Sequence, residues 1–390
     1  MLGSETRLES RESPMFSPVR ADFPALADLT YLNLGTHGLM PEPALRRYLD
    51  AVARYEREGY FAHYDLLETR ERVRARLAAL IGAPPAALAL TGNASDGVNL
   101  VAAGIAWRPD DEVLISDQEH PAVEHPFAYL ASRGRLRLRR FSLGVDPHTT
   151  LASLAAALTP RTRLLAVSVV SSQTGTRLPL GDAVALVQAH GVEVLLDAAQ
   201  ALGQFPLDVA ALRCDYLVSN GHKWLLGPKG VGLLYVRPDR LEGLTPAHVG
   251  AGSLREDAPV PTLQPTATRF EYGTRALPLW EGMDAALDWW EKRGPAALQA
   301  HMAALADELK SRVLAHQRLR LRSPRPWEHS SALVSFQVAD RPDALALLRA
   351  LWAQGVLVRA VPEHNALRIS TGPFNDSGDL DRLFAALERV

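Results

Sequence analysis

The sequence predicts an α/β fold: a large domain with a mostly parallel sheet flanked by helices, followed by a smaller C-terminal α+β domain. Three observations carry this expectation. Between Leu88 and Arg237 short apolar runs alternate with segments of helical spacing, the signature of βαβ units. The runs have the apolar character of strands buried on both faces. After about Leu241 the texture changes to a Pro/Thr-rich stretch, residues 258–268, which reads as a long exposed connection.

In chain order, residues 43–57 and 68–80 have the spacing of amphipathic helices lying outside the sheet, the second stopped by Gly82 and the Pro84-Pro85 pair. Strands are expected at 88–91, 112–116, 136–141, 164–170, 192–196, 216–219 and 231–236, with helices at 94–105, 122–132, 151–158 and 182–190 between them. Beyond the connection come helices at 277–292, 296–316, 342–354 and 378–387 and strands near 332–338, 357–359 and 367–370. The expected division is a flexible extension over 1–20, with Met15 an alternative start, a large domain over 21–257 and a small domain over 258–390.

A chain of 390 residues, 47% hydrophobic and 22% charged, has ordinary globular composition, which excludes a disordered or collagen-like protein. A net charge of −2 gives no overall positive field for nucleic acid or an anionic membrane, so the expected partner is a small molecule. No signal-like or membrane-spanning apolar run occurs. The single cysteine, Cys214, forms no intramolecular disulfide and no CxxC metal site, and the cytoplasm is the natural setting.

Only four lysines occur, Lys223, Lys229, Lys292 and Lys310, although Lys and Arg total 42. Two of them share the segment SNGHKWLLGPKG. Lys223 follows a strand and stands at the lip of a polar turn, where desolvation favours a neutral amine able to condense with a carbonyl. Asp197 ends another strand, VEVLLDAAQ, at the edge where open α/β sheets bind ligands. A solvated lysine and a helix N-cap are the plain alternatives for the two. Together they match what pyridoxal phosphate requires, a carboxylate for the pyridine nitrogen and a lysine that holds the aldehyde as an imine.

DAAQ, SNGHKWLLGPKGVGLLYV and FEYGT resemble the class V aminotransferase group of fold-type I pyridoxal phosphate enzymes. The opening YLNLGTHGLMP is similar to that of its isopenicillin N epimerase-like and cysteine desulfurase-like members. The resemblance runs from about Tyr31 to the C-terminus. It implies that Lys223 forms the internal aldimine, Asp197 partners the pyridine nitrogen, Gln200 bonds the ring hydroxyl and His120 stacks on the ring face.

For the phosphate it implies Ser95 and the Ala94 amide at a helix start, with His222 as a further donor. Asn220 stands where the family commonly has a serine, and Ser172 where it often has an asparagine. Gly273 and Thr274 match a loop that reaches the phosphate of a neighbouring subunit, which implies a homodimer with shared sites. Arg368 matches the arginine that grips the carboxylate of an amino acid substrate. Asn33 and His37 are expected at the entrance, a structural turn being the alternative.

A desulfurase carries sulfur on a mobile cysteine before that arginine, whereas LVRAVPEHNALRIS has none, which disfavours persulfide chemistry on this chain. EHPAVEH lacks the spacing of a metal site, and none is expected. What remains starts at an external aldimine. Loss of the Cα proton to Lys223 gives a quinonoid whose fate is transamination, epimerisation or C–S lysis. A hydrolase on the same sheet calls for a GxSxG elbow or a His/Asp cluster, which are absent, and a non-catalytic scaffold has no use for both Lys223 and Asp197.

Overall fold

The computed structural model describes residues 17–341 and 343–390. The extension expected over 1–20 therefore lies outside the described residues except for its end, Ser17–Arg20 (α1). There Arg20 bonds the buried Asp379 at 2.9 Å. The chain continues through β1 (Thr30–Tyr31), α2 (Glu42–Glu58), α3 (Tyr60–Leu80), β2 (Leu88–Thr91), α4 (Ala94–Gly104), β3 (Glu112–Ser116) and α5 (Pro121–Ser132). Then come β4 (Arg137–Phe141), α6 (Pro147–Ala157), β5 (Thr162–Ser168), α7 (Leu180–Gln188), β6 (Glu193–Asp197), α8 (Val209–Leu212), β7 (Tyr216–Asn220) and β8 (Gly232–Val236).

Strands β2 to β8 form a seven-stranded sheet in the order β2-β8-β7-β6-β5-β3-β4. β7, β6, β5, β3 and β4 are mutually parallel; β8 runs antiparallel to both β7 and β2. The reversal has a local cause. Only the short excursion 221–231 joins β7 to β8, and a parallel neighbour needs a longer crossover. β2, β3, β7 and β8 are buried along their whole length, whereas the edge strand β4 carries exposed arginines that discourage further pairing.

The rest of the chain comprises α9 (Pro278–Arg293), α10 (Pro295–Ala315), β9 (Leu319–Leu321), β10 (Leu333–Val338), α11 (Ala344–Trp352), β11 (Val356–Leu357), β12 (Arg359–Val361), β13 (Ala366–Ser370) and α12 (Ser377–Glu388). The helix expected from residue 342 starts at Ala344; Pro342 itself lies outside the described residues. β12, β13, β10 and β9 make an antiparallel sheet whose apolar residues share one core with α10, α11 and α12, including Leu309, Phe336, Leu351 and Leu383. β1 pairs with β11 and Asn33 bridges to Ser370, so the N-terminal segment is stitched to this second sheet.

α9 packs against α2 and α3, with Trp280, Met283 and Leu287 in the core cluster under the large sheet. Its buried Asp284 collects Arg47 at 2.7 Å, Arg72 at 3.0 Å and Arg76 at 2.6 Å. Burial opposes the charge of Asp284, but the three guanidinium groups prevail and hold its pKa below the ordinary value. Of the four lysines, Lys229 and Lys292 are exposed and Lys223 is half-buried. Lys310 is buried and spent on Ser330 Oγ at 2.5 Å and the Arg325 carbonyl at 3.2 Å.

Candidate active site

Five strands of the large sheet end at one edge, and the segments that follow them carry most of the expected site residues: Ala94 and Ser95 after β2, His120 after β3, Ser172 after β5, Gln200 after β6, and Asn220 to Lys223 from β7. Asp197 is the last residue of β6. This is the position at which a parallel sheet gathers a ligand site, because each crossover leaves the strand ends free to face one crevice.

Lys223 stands at its centre. Burial draws its ammonium down to about 8; the negative charge of Asp197 resists and the Arg368 cation adds to the fall. Its Nζ has no hydrogen-bond partner among the described residues, so the amine is held by position and left chemically free. Asp197 is 5% exposed and accepts the Ala199 N–H at 2.8 Å. Burial raises its pKa, while Lys223 and that hydrogen bond favour its charged form. Residues 198–200 form a turn rather than a helix, so the carboxylate is not a helix cap.

His120 is the N-cap of α5, its Nδ1 accepting the Ala122 N–H at 3.1 Å. That bond makes Nδ1 the acceptor and leaves the proton on Nε2. Partial burial and the cations Lys223, Arg368 and Arg359 pull its pKa to about 4, so the ring is neutral near pH 7. His222 is likewise lowered to about 4 by burial and by Lys223, and its buried Nδ1 has no partner among the described residues.

The first turn of α4 is arranged differently from a bare anion cradle. The Ala94 N–H already donates to Asn220 Oδ1 at 2.8 Å, and Asp96 N–H to the capping Asn93 Oδ1 at 2.9 Å. Ser95 keeps its N–H and hydroxyl unpaired among the described residues. The loop can lie so close to the sheet because residue 232 is glycine: a Cβ there would come within 2.6 Å of the Asn93 backbone. Gln200, buried, donates to the Gly35 carbonyl at 2.8 Å and accepts Trp224 Nε1 at 2.9 Å, which leaves one N–H and one lone pair for a further partner.

The N-terminal segment closes over this edge. Gly38 N–H donates to the His222 carbonyl at 2.7 Å, a contact in which a Cβ would meet the Lys223 carbonyl at 2.5 Å. It brings His37 to 5.7 Å from His222, ring to ring. Asn33 accepts from Thr36 at 2.7 Å, and Thr36 in turn accepts from Arg368 at 3.0 Å. Arg368, on β13 and buried, donates also to the Ser172 carbonyl at 2.6 Å, while its Nε is unpaired among the described residues. Ser172 thus contributes a backbone oxygen here. Gly273 and Thr274 stand apart: both are exposed, and no hydrogen bond among the described residues joins them to the cluster.

Two residues escaped the sequence reading. Arg359 on β12 is the direct cross-strand partner of Arg368, which puts a second cation beside the first. Only the antiparallel register reveals it. Glu119, next to His120, is a buried carboxylate with Ser116 and Ser168 as donors; its neighbours in the motif gave no hint of burial. Cys214 is buried, and burial pushes its thiol up to about 12. Among the described residues no His/Cys/Asp/Glu group is arranged to hold a metal, and no helix is long and apolar enough to cross a membrane.

The chain is similar to known proteins along most of its length. The family model described as aminotransferase class-V matches residues 42–383. The chain is 34% identical to an isopenicillin N epimerase of Streptomyces clavuligerus, over 92% of this chain and 94% of the other. It is also 34% identical to a probable cysteine desulfurase of Pseudomonas aeruginosa, over 96% and 98%. Among solved structures it is similar to a cystine C–S lyase in complex with its reaction product cysteine persulfide, with TM-score 0.88 and 29% identity over 94% of this chain and 98% of that one. A lysine-to-alanine mutant with glycine covalently linked to the pyridoxal phosphate cofactor aligns equally well, with TM-score 0.89 and 29% identity over the same shares.

Proposed function

The chain belongs to the class-V aminotransferase family, and we propose that it is a C–S lyase acting on a sulfur-containing amino acid, a reading supported by its likeness to a cystine C–S lyase. Its cofactor is pyridoxal 5′-phosphate. The residues present suit that group. The unpartnered Nδ1 of His222 and the free Ser95 donors fit a phosphate, Asp197 fits a ring nitrogen, and the unpaired Lys223 amine fits an aldehyde. Bound there, the cofactor supplies an electron-accepting ring that weakens the bonds at the substrate Cα.

The observation that carries the proposal is the position of Lys223 among Asp197, His120 and Arg368, with a pKa near 8. A neutral amine so placed takes the Cα proton once the substrate carboxylate is fixed by the two-pronged Arg368. Removal of that proton, followed by cleavage of the Cβ–S bond with both electrons leaving on sulfur, expels a thiolate. No thiol of this chain can take up the sulfur, because Cys214 is buried and strongly disfavours ionisation. The sulfur therefore leaves as a small molecule, and the remaining carbon skeleton hydrolyses to pyruvate and ammonia. Arg359 beside Arg368 suits a second, remote carboxylate, as in a disulfide-linked amino acid.

Epimerisation is a second reading, supported by a neutral His120 bearing its proton on Nε2 in the crevice that also holds Lys223, a donor and an acceptor at one site. The exposed Gly273–Thr274 loop fits a reach into a second copy, and we propose a homodimer with shared sites. A lone buried thiol suits the cytoplasm, where we place the enzyme. The test is incubation of the holoenzyme with L-cystine, L-cysteine and non-sulfur amino acids, reading pyruvate, released sulfur species, keto acid made with an added acceptor, and enantiomer ratio. Pyruvate and a low-molecular-weight persulfide or sulfide from cystine support lysis; inversion or keto acid without pyruvate overturns it.

A further inference from the structure

The turn 116–120 between β3 and α5 hides a carboxylate that the chemistry above does not use. Glu119 is 4% exposed. Its Oε1 accepts Ser116 Oγ at 2.5 Å, and its Oε2 accepts both the Ser168 N–H at 2.9 Å and Ser168 Oγ at 2.7 Å. Ser168 ends β5 and stands directly opposite Asp197 in the β5–β6 register. The carboxyl thus ties the ends of β3 and β5 together, beside the end of β6, while the next residue in the chain, His120, enters the crevice. No cation pairs with Glu119 among the described residues.

We infer that Glu119 is a positioning residue for the cofactor, a second buried carboxylate that braces His120 and Asp197 against one another through Ser116 and Ser168. The inference rests on the reading that the ring nitrogen lies at Asp197. Bracing follows from the hydrogen bonds: ionised, Glu119 accepts three, but protonated it must donate one, so one serine hydroxyl has to turn away. The charge also matters. Around it, β3 and β5 present only neutral serine donors, β6 presents Asp197, its own turn carries the neutral His120, and Lys223 after β7 acts on Asp197 from across the crevice. Burial, with a smaller push from Asp197, raises the Glu119 carboxyl to about 7 against the pull of its serine donors. Above that pH its negative charge adds to that of Asp197 in retaining a proton on the ring; below it the contribution disappears.

The test is equilibrium dialysis of pyridoxal phosphate against the full-length apoenzyme from pH 6 to 8.5, for wild type, Glu119→Gln, Ser168→Ala and Asp197→Asn. Wild type should bind more tightly as pH rises through about 7, and Glu119→Gln should lose that step while keeping the later rise that neutral Lys223 brings near pH 8, binding of the order of tenfold more weakly at pH 8. Ser168→Ala keeps the carboxyl and removes one donor to its charged form, so its inflection should move to higher pH, which keeps the test open if Glu119→Gln does not fold. Superimposable wild-type and Glu119→Gln profiles, or an unmoved inflection in Ser168→Ala, overturn the inference. If Asp197→Asn binds like wild type, the placement of the ring fails instead; if Asp197→Asn is weakened while Glu119→Gln tracks wild type, only the inference fails.

Discussion

Asn220 accepts the Ala94 amide proton at 2.8 Å, so the first turn of α4 is closed by a side chain from β7. An alanine at 220 strips a buried N–H of its acceptor, a loss of about 1–3 kcal/mol. In the holoenzyme a phosphate oxygen can take the acceptor's place. Urea unfolding of Asn220→Ala should therefore show a larger loss of stability without cofactor than with it. Equal losses mean that the phosphate does not reach Ala94.

A lysine reacts with an aldehyde only as the neutral amine. With Lys223 lowered to about 8, the rate of covalent cofactor attachment to apoenzyme should climb with pH, reach half its limit near pH 8 and level off above it, well short of the range of an ordinary lysine. Stopped-flow absorbance follows it directly. Lys223→Ala should bind cofactor reversibly, show no borohydride-reducible band and lose roughly 10²–10⁴-fold in turnover. Lys229→Ala should keep the band.

On the proposed reading Arg368 takes the α-carboxylate and Arg359 a remote one. Arg368→Ala should raise KM about tenfold or more for every amino acid substrate. Arg359→Ala should do so only for substrates with a second carboxylate, such as cystine, and leave cysteine little changed. A parallel rise for both substrates would show that Arg359 acts through Arg368 and does not touch the substrate.

Away from the site, Asp284 ties three arginines of α2 and α3 to α9. Asp284→Asn should cost about 2 kcal/mol near neutral pH, reduced from the fully buried case because Arg47 and Arg72 are half in solvent. Its folded pKa is depressed, so its contribution is complete above the ordinary carboxylate range and fades as pH falls through the lower folded value. Denaturant curves for the two proteins should converge in acid; a constant gap counts against the charge network.

The sheet was legible because all of its strands but the edge strand β4 are apolar runs followed by a polar turn, and the turns after β2, β3, β6 and β7 carry the candidate site. β1 and β9 were not legible, because two or three residues cannot show a period. Neither was the reversed direction of β8, which depends on the shortness of the 221–231 excursion. Lys223 and Asp197 stood out through residue type and strand-end position. Arg359 and Glu119 did not, since one depends on cross-strand register and the other on burial, and neither quantity is local in sequence. The partnership of Ala94 with Asn220 joins residues far apart in the chain, and only the folded sheet brings them together.

The scarcity of lysine has a practical side. Trypsin cuts after Arg213 and after Lys229, and a cofactor fixed by borohydride on Lys223 would block the one cleavage site between them. Digestion should then release the label on a single fragment running from Cys214 to Lys229, which mass spectrometry can identify without ambiguity, since the other two lysines lie on separate fragments.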